Sequence, residues 1–201
     1  MGVQTDVQVK FIADENAADP DRLVTAARPN TSATMAATTF LGGGARNVTV
    51  TTAGTGDNNK TCSITGTDVF GNAITEVITS TGSAEAVAGA TLFLTVSAVE
   101  CSAQYAANIT VGSGSLCASE VAGGGRTRLK GYSIVSAGTA GLVDFFNGTP
   151  DSGTIIFKAQ TIGTDNSTVD NTIPDEGMLF KDGLSVKYTV ATVVLMNVFF
   201  A

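Results

Sequence analysis

The chain has 201 residues, of which 43% are hydrophobic and 14% are charged, and its formal net charge is −7. This composition excludes a disordered chain, which is poor in apolar residues and rich in charge, and the acidic balance argues against nucleic-acid binding, which needs a basic face. The histidine count is 0, which excludes Ser-His-Asp and Cys-His hydrolases and histidine-ligated zinc sites.

The N-terminal segment, residues 1–35, is rich in Ala and Asp and is predicted to form an extended arm. Within it, residues 20–30 (PDRLVTAARPN) predict one short helical turn that is opened by Pro20-Asp21 and stopped by Pro29. The N-terminus shows no basic segment followed by an apolar one. No run approaches the roughly 20 apolar residues of a membrane span, so we expect a protein made in the cytoplasm with no membrane partner.

The next segment predicts a first β domain over residues 36–122. Short apolar runs alternate with polar residues and are separated by Gly, Asn and Asp clusters, which is typical of a β-sandwich or barrel. Residues 61–80 (TCSITGTDVFGNAITEVITS) predict a hairpin whose turn contains Gly71-Asn72. Cys62 alternates with Ile64 and is expected to be a small buried hydrophobe, because three scattered cysteines do not predict a disulfide framework.

A glycine triplet, Gly123–Gly125, predicts a hinge and a domain boundary. The following segment, residues 126–201, predicts a second β-sandwich domain made of alternating strands and polar loops. The predicted fold is therefore all-β, with two small β-sandwich or jelly-roll-like domains and an extended N-terminal arm.

Four acids in the second domain are candidates for a pair of catalytic carboxylates: Asp144, Asp175, Glu176 and Asp182. Glycosidases hold two such acids about 5–9 Å apart, but they usually also offer aromatic platforms for sugar. Here Trp is 0 and Tyr is 3. We therefore interpret the acids of the sequence IPDEGMLFKDG as turn residues and expect a protein that is not an enzyme and uses no cofactor.

Two oxygen-rich segments are candidates for a calcium loop: residues 14–21 (DENAADPD) and residues 164–171 (TDNSTVDN). Carboxylate and amide oxygens are suitable Ca²⁺ ligands, yet neither segment has the regular spacing of a known calcium loop. Both are interpreted as solvated turns, with calcium binding left open as the alternative.

Candidate partner-binding residues lie at both ends of the second domain. Arg126, Arg128 and Lys130 alternate along one predicted strand and therefore project from one face. They either protect a solvated strand edge against aggregation or contact an acidic neighbouring subunit. The last strand is apolar on both faces and ends with Phe199 and Phe200, which suggests that a neighbouring subunit covers one face.

The strand and turn motifs resemble those of tailed-bacteriophage structural proteins. In the first domain the resemblance lies in TCSITGTDVFGNAITEVIT, LFLTVSAVECS and ITVGSG, and in the second in RLKGYSI, GLVDFFNGTPDSGTIIFKAQT and IPDEGMLFKDGLSV. Together these motifs cover about residues 45 to 201. These motifs describe turns and buried cores, so they indicate a protein family and say little about a reaction or a ligand.

The resemblance implies a virion structural protein, and within that class a capsid decoration (cement) protein fits best. Such proteins typically form homotrimers that sit on the outer capsid surface and bind the major capsid protein lattice. The predicted arm, residues 1–35, would then reach across the lattice. The alternative is a tail or fibre structural module that binds host glycans.

Overall fold

The computed structural model describes residues 7–13, 17–82 and 84–201. Strands account for 56% of the described residues and helix for 2%. The strands pair in antiparallel sheets, and no sheet formed by the described residues closes on itself. The prediction of an all-β fold is therefore confirmed.

The chain divides by its contacts into two compact units. The N-terminal unit is Asn16–Leu116, and the C-terminal unit combines Met1–Glu15 with Cys117–Ala201. The division falls inside a long strand, Ile109–Ala122, and not at the predicted hinge. Gly123–Gly125 lies just after this strand, in the connection to the next one.

The N-terminal unit consists of two antiparallel sheets. Its strands are β2 (Val24–Ala27), β3 (Ala45–Thr52), β4 (Thr61–Thr67), β5 (Ala73–Thr79), β6 (Ala86–Phe93), β7 (Thr95–Cys101) and the first part of β8 (Ile109–Ala122), with a 3₁₀ turn at Thr55–Asp57. One sheet has the order β8-β3-β6 with β2 paired to β8, and the other has the order β5-β4-β7. Alternating side chains of both sheets form one buried core, as expected for a sandwich.

The predicted hairpin is confirmed as β4 and β5, which pair from Thr61↔Thr79 to Thr67↔Ala73. Gly71 takes a left-handed φ of 81° in the turn, a conformation that glycine adopts without steric cost. The Asp68 carboxylate accepts the Phe70 and Asn72 N–H groups at 2.8 and 2.9 Å, so the turn supplies its own hydrogen-bond acceptor.

The described residues between 17 and 35 differ from the predicted arm. The short helix predicted at residues 20–30 is wrong, because Val24–Ala27 is a strand that pairs with β8. Leu23 and Val24 are fully buried in the core of this unit. The local Pro-Asp signal resembles a helix start, but pairing and burial of this segment override it.

The C-terminal unit also consists of two sheets. Its strands are β1 (Gln8–Ile12), the end of β8, β9 (Thr127–Ser136), β10 (Leu142–Asn147), β11 (Thr154–Gln160), β12 (Thr168–Thr172), β13 (Met178–Phe180), β14 (Leu184–Thr189) and β15 (Val193–Phe200). One sheet has the order β1-β15-β9-β12 with β13 paired to β9, and the other has the order β11-β10-β14-β8. The strand β1 adds residues that were predicted to belong to the arm.

The core of the C-terminal unit contains a cluster of three aromatic rings. Tyr132, Phe145 and Phe157 have ring centroids 5.6 to 5.7 Å apart and tilted planes, a range in which aromatic pairs attract one another beyond their burial. Phe145 is fully buried. The described parts of the chain include no helix with the length and apolar character needed to cross a membrane.

Candidate functional site

The three basic candidates lie at the start of β9 and do not behave alike. Arg126 precedes the strand and is exposed, whereas Arg128 and Lys130 lie within it and are half-buried. The Arg128 guanidinium forms an ion pair with Glu176 at 2.9 Å, and Lys130 Nζ donates to the Asp175 carbonyl at 3.3 Å. Two of the three predicted contact residues are thus bound to a turn of their own chain.

That turn is the segment of acids first considered for catalysis. Its backbone closes by a hydrogen bond from Gly177 N–H to the Pro174 carbonyl at 3.2 Å, and Asp175 takes a left-handed φ of 57°. A Cβ on Gly177 would lie 2.3 Å from the Leu129 carbonyl oxygen, so only glycine fits there. The interpretation of this segment as a turn is confirmed.

The other two candidate acids each have a partner of their own. Asp144 forms an ion pair with Lys158 at 3.3 Å, and Asp182 accepts the Asn147 side-chain amide at 2.6 Å. Asn147 in turn accepts the Lys181 and Asp182 N–H groups through its carbonyl oxygen. These contacts fix the loop between β13 and β14.

The segment 164–171, a candidate calcium loop, is held by backbone hydrogen bonds. Asn166 takes a left-handed φ of 59° and donates its N–H to the Ser136 carbonyl at 2.9 Å. The strand β12 begins at Thr168. In the other segment, Asp14 and Glu15 lie outside the described residues. Among the residues that are described, no group of three or more Cys, Asp or Glu side chains is arranged to hold a metal ion.

The two C-terminal phenylalanines lie on opposite faces of β15. Phe200 packs against the core of the C-terminal unit. Phe199 is directly opposite Val9 of β1, and paired residues of antiparallel strands share a face. Of the two predicted contact residues, Phe199 alone lies on the outer face.

An exposed apolar surface surrounds Phe199. Val7, Val9 and Phe11 recur at every second position and are 51%, 54% and 58% exposed. We call these three side chains, together with Phe199, the apolar strip. In the described part of the chain β1 has one neighbouring strand, β15, so the strip borders a sheet edge with unpaired backbone groups. The alternation in VQVKF could have revealed it, because a period of two is the signature of a strand.

A buried carboxylate in the N-terminal unit was also missed. Asp57 is fully buried and accepts Lys60 Nζ and the Ala106 N–H at 2.6 Å each, and the Ala107 N–H at 3.0 Å. Burial by itself raises the pKa of Asp57, but the bonds from Lys60 and the two N–H groups outweigh it and hold the pKa below its usual value. The spacing of Asp57 and Lys60 was visible, but the distant N–H donors were not.

The geometry thus combines an exposed apolar strip with acids and bases that bind their own chain. A scan against protein-family models, a search of curated proteins and a search of solved structures each return no match.

Proposed function

We propose that the chain is a non-enzymatic structural protein of a tailed-phage virion, a capsid decoration protein that binds the major capsid protein lattice on its outer surface as a homotrimer. The observation that carries the proposal is the apolar strip. Its valines and Phe11 are more than half exposed on a sheet edge, which is costly in water unless another protein surface covers them.

The edge of the second sheet supports the same proposal. Strand β11 has β10 as its one neighbour among the described residues, and it exposes Ile155 and Ile156. Two sheets of the C-terminal unit therefore each present an apolar edge strand. A protein that clamps two neighbouring subunits needs two such contact surfaces.

The energetics favour an assembly over a single contact. Burial of apolar surface contributes about 25 cal/mol per Å², while association costs an estimated 4–15 kcal/mol or more in lost freedom of motion. For a strip of four side chains, the free energy gained by burial exceeds the cost of association by a small amount at most. In a closed trimer each strip is covered by a neighbouring subunit, and the three linked copies then bind the lattice with a much higher effective affinity than one copy.

The charged residues give the surface its selectivity. Lys10 is exposed and lies between Val9 and Phe11 in sequence, on the opposite face of β1. A lysine on an edge strand discourages pairing with arbitrary strands. With Arg128 and Lys130 bound to their own turn, Arg126 is the basic candidate left for an acidic partner.

Oligomeric state tests the apolar strip. We expect the full chain to be a trimer by light scattering at micromolar concentration. In the double variant Val9→Thr, Phe11→Thr the concentration at which the trimer dissociates should rise about 10- to 100-fold, because the loss of two apolar contacts weakens the trimer. The matched control is Val77→Thr, since Val77 is 61% exposed on β5. This control should stay trimeric. A monomeric wild type contradicts the trimer, and equal loss of association in both variants contradicts the apolar strip as its contact.

Location in the virion tests the decoration role. Electron cryo-microscopy of intact particles should place the chain on the capsid faces, and its copy number on a virion gel should approach that of the major capsid protein. Density on the tail or fibre at low copy number would instead support the alternative of a tail or fibre module.

A further inference from the structure

Two of the three cysteines lie directly opposite each other, and for one of them, Cys62, we had expected the role of a small buried hydrophobe. Cys62 of β4 pairs with Cys101, the last residue of β7, and their Sγ atoms are 3.9 Å apart. Both belong to the core of the N-terminal unit. The third, Cys117, belongs to the core cluster of the C-terminal unit.

The backbone hydrogen bonds show which kind of strand pair this is. The Ser102 N–H donates to the Thr61 carbonyl at 3.0 Å, and the Cys101 N–H points away from β4 to the Thr31 carbonyl at 2.5 Å. This pattern defines a non-hydrogen-bonded pair, in which the Cα atoms are about 4.5 Å apart and the side chains approach most closely.

That geometry suits a covalent bond between the two sulfurs. Disulfides span Cα separations of about 4.4–6.8 Å and have an S–S length of about 2.05 Å. The Cys62 and Cys101 sulfurs at 3.9 Å can therefore meet by side-chain rotation. Movement of β4 against β7 is not required.

The surroundings prepare one sulfur as the nucleophile. The hydrogen bond between Cys62 and Cys101 lowers the pKa of the Cys62 thiol, against the effect of burial, and the same bond raises the pKa of Cys101. The Tyr105 hydroxyl lies 3.2 Å from Cys62 Sγ. Burial raises the pKa of Tyr105, which keeps its phenol neutral and able to donate. The thiolate, which is the reactive form of cysteine, is thus favoured at Cys62.

We propose that Cys62 and Cys101 are a modification site at which hydrogen peroxide, a small two-electron oxidant, closes a cross-strand disulfide. Peroxide suits the site because Cys62 is fully buried and Cys101 is 9% exposed, which excludes bulky oxidants.

Oxidation of the pair proceeds in two steps. The Cys62 thiolate attacks one peroxide oxygen, the O–O bond breaks, and the released hydroxide takes up a proton to give water, leaving a sulfenic acid on Cys62. The Cys101 sulfur then attacks the Cys62 sulfur, the S–O bond breaks, and the leaving hydroxide takes the Cys101 proton as a second water. Two thiols lose two electrons and one peroxide gains them.

Thiol counting on the full folded chain tests the proposal. The protein is treated with hydrogen peroxide, quenched with catalase, denatured in the presence of an alkylating agent, and weighed by intact-mass spectrometry. The chain has three cysteines, each present as a thiol, so we expect three alkylated thiols before oxidation and one after it. Peptide mapping should link Cys62 to Cys101, and dithiothreitol should restore all three.

Two variants separate the pair from the remaining cysteine. Cys117→Ala should still form the link and leave no alkylated thiol after oxidation. Cys101→Ala should form no link and should accumulate sulfenic or sulfinic acid on Cys62. Three alkylated thiols after peroxide treatment of the wild type, or a link that involves Cys117, would overturn the proposal, and this wild-type measurement does not depend on whether the variants fold.

Discussion

The two units of this chain share a sandwich architecture but are stabilised by different chemistry. The core of the C-terminal unit contains the aromatic cluster of Tyr132, Phe145 and Phe157. The N-terminal unit buries an ionised carboxylate, Asp57, close to the cysteine pair: its partner Lys60 has Nζ 5.3 Å from the centroid of the Tyr105 ring. We therefore expect acid and oxidants to change the stability of the N-terminal unit, and loss of packing volume to lower the stability of the C-terminal unit.

The largest effect should come from the aromatic cluster. Phe145→Ala removes a fully buried ring and should lower the free energy of unfolding by about 3–5 kcal/mol, because the cavity adds to the lost burial. Hydrogen exchange should show the loss of protection in β9 and β10 before β4. Equal loss of protection in β4 would contradict the difference between the units.

The next largest effect should come from the buried carboxylate. Asp57→Asn places an amide against the donors Lys60, Ala106 and Ala107, and loss of hydrogen bonds to a charged group should cost about 2–3 kcal/mol. Urea denaturation measures this loss. The matched control is Asp182→Asn, an exposed acid bound to Asn147, which should change stability by less than about 1 kcal/mol. Equal effects of the two substitutions would show that burial of Asp57 is unimportant.

Low pH should remove the contribution of Asp57 to the free energy of unfolding. Its folded pKa lies below the usual value of 3.8, so the unfolded chain takes up the proton first as pH falls. The stabilisation is therefore complete at neutral pH and is lost as pH falls below about 4. The difference in urea midpoint between wild type and Asp57→Asn should be largest at neutral pH and shrink in acid. A difference that is constant with pH contradicts this assignment.

The smallest effect should come from the turn that binds Arg128. Glu176→Gln removes an ion pair whose carboxylate side chain is 82% exposed, and exposed pairs contribute about 0–1 kcal/mol. Thermal unfolding should therefore barely change. The backbone of the turn is secured by Gly177 and its hydrogen bond to Pro174. A large loss of stability would mean that the side chain of Glu176 helps to hold β9.

Local patterns predicted the local structure of this chain. The β4–β5 hairpin and the turn at Asp175 were readable because alternation and glycine position are encoded within a few neighbouring residues. The opposition of Cys62 and Cys101 was not readable, since register depends on how distant strands pair. Val24 lies in a strand because this segment pairs with β8. The local sequence, which resembles a helix start, contains no information about that pairing.

The candidate site was predicted in part for the same reason. Phe199 and Phe200 were both recognised as apolar ends of the last strand, but the sequence could not say which of the two would face outwards. Packing decides it, since Phe200 contacts the core of the C-terminal unit and Phe199 lies opposite the exposed Val9. Arg128 and Lys130 were predicted to share a face, and both do reach one turn. Their partner came from a segment more than forty residues away, beyond local pattern.

The pairing of β1 with β15 has a mechanical consequence. Gln8 lies opposite Phe200, while Ile12 lies opposite Met196. The first residue of β1 and the last residue of β15 therefore lie side by side at one end of the strand pair. A force that pulls residue 8 away from residue 200 breaks the hydrogen bonds between β1 and β15 one after another. These two strands therefore separate at low force. A load carried along β15 from its neighbour β9 would instead meet many bonds at once.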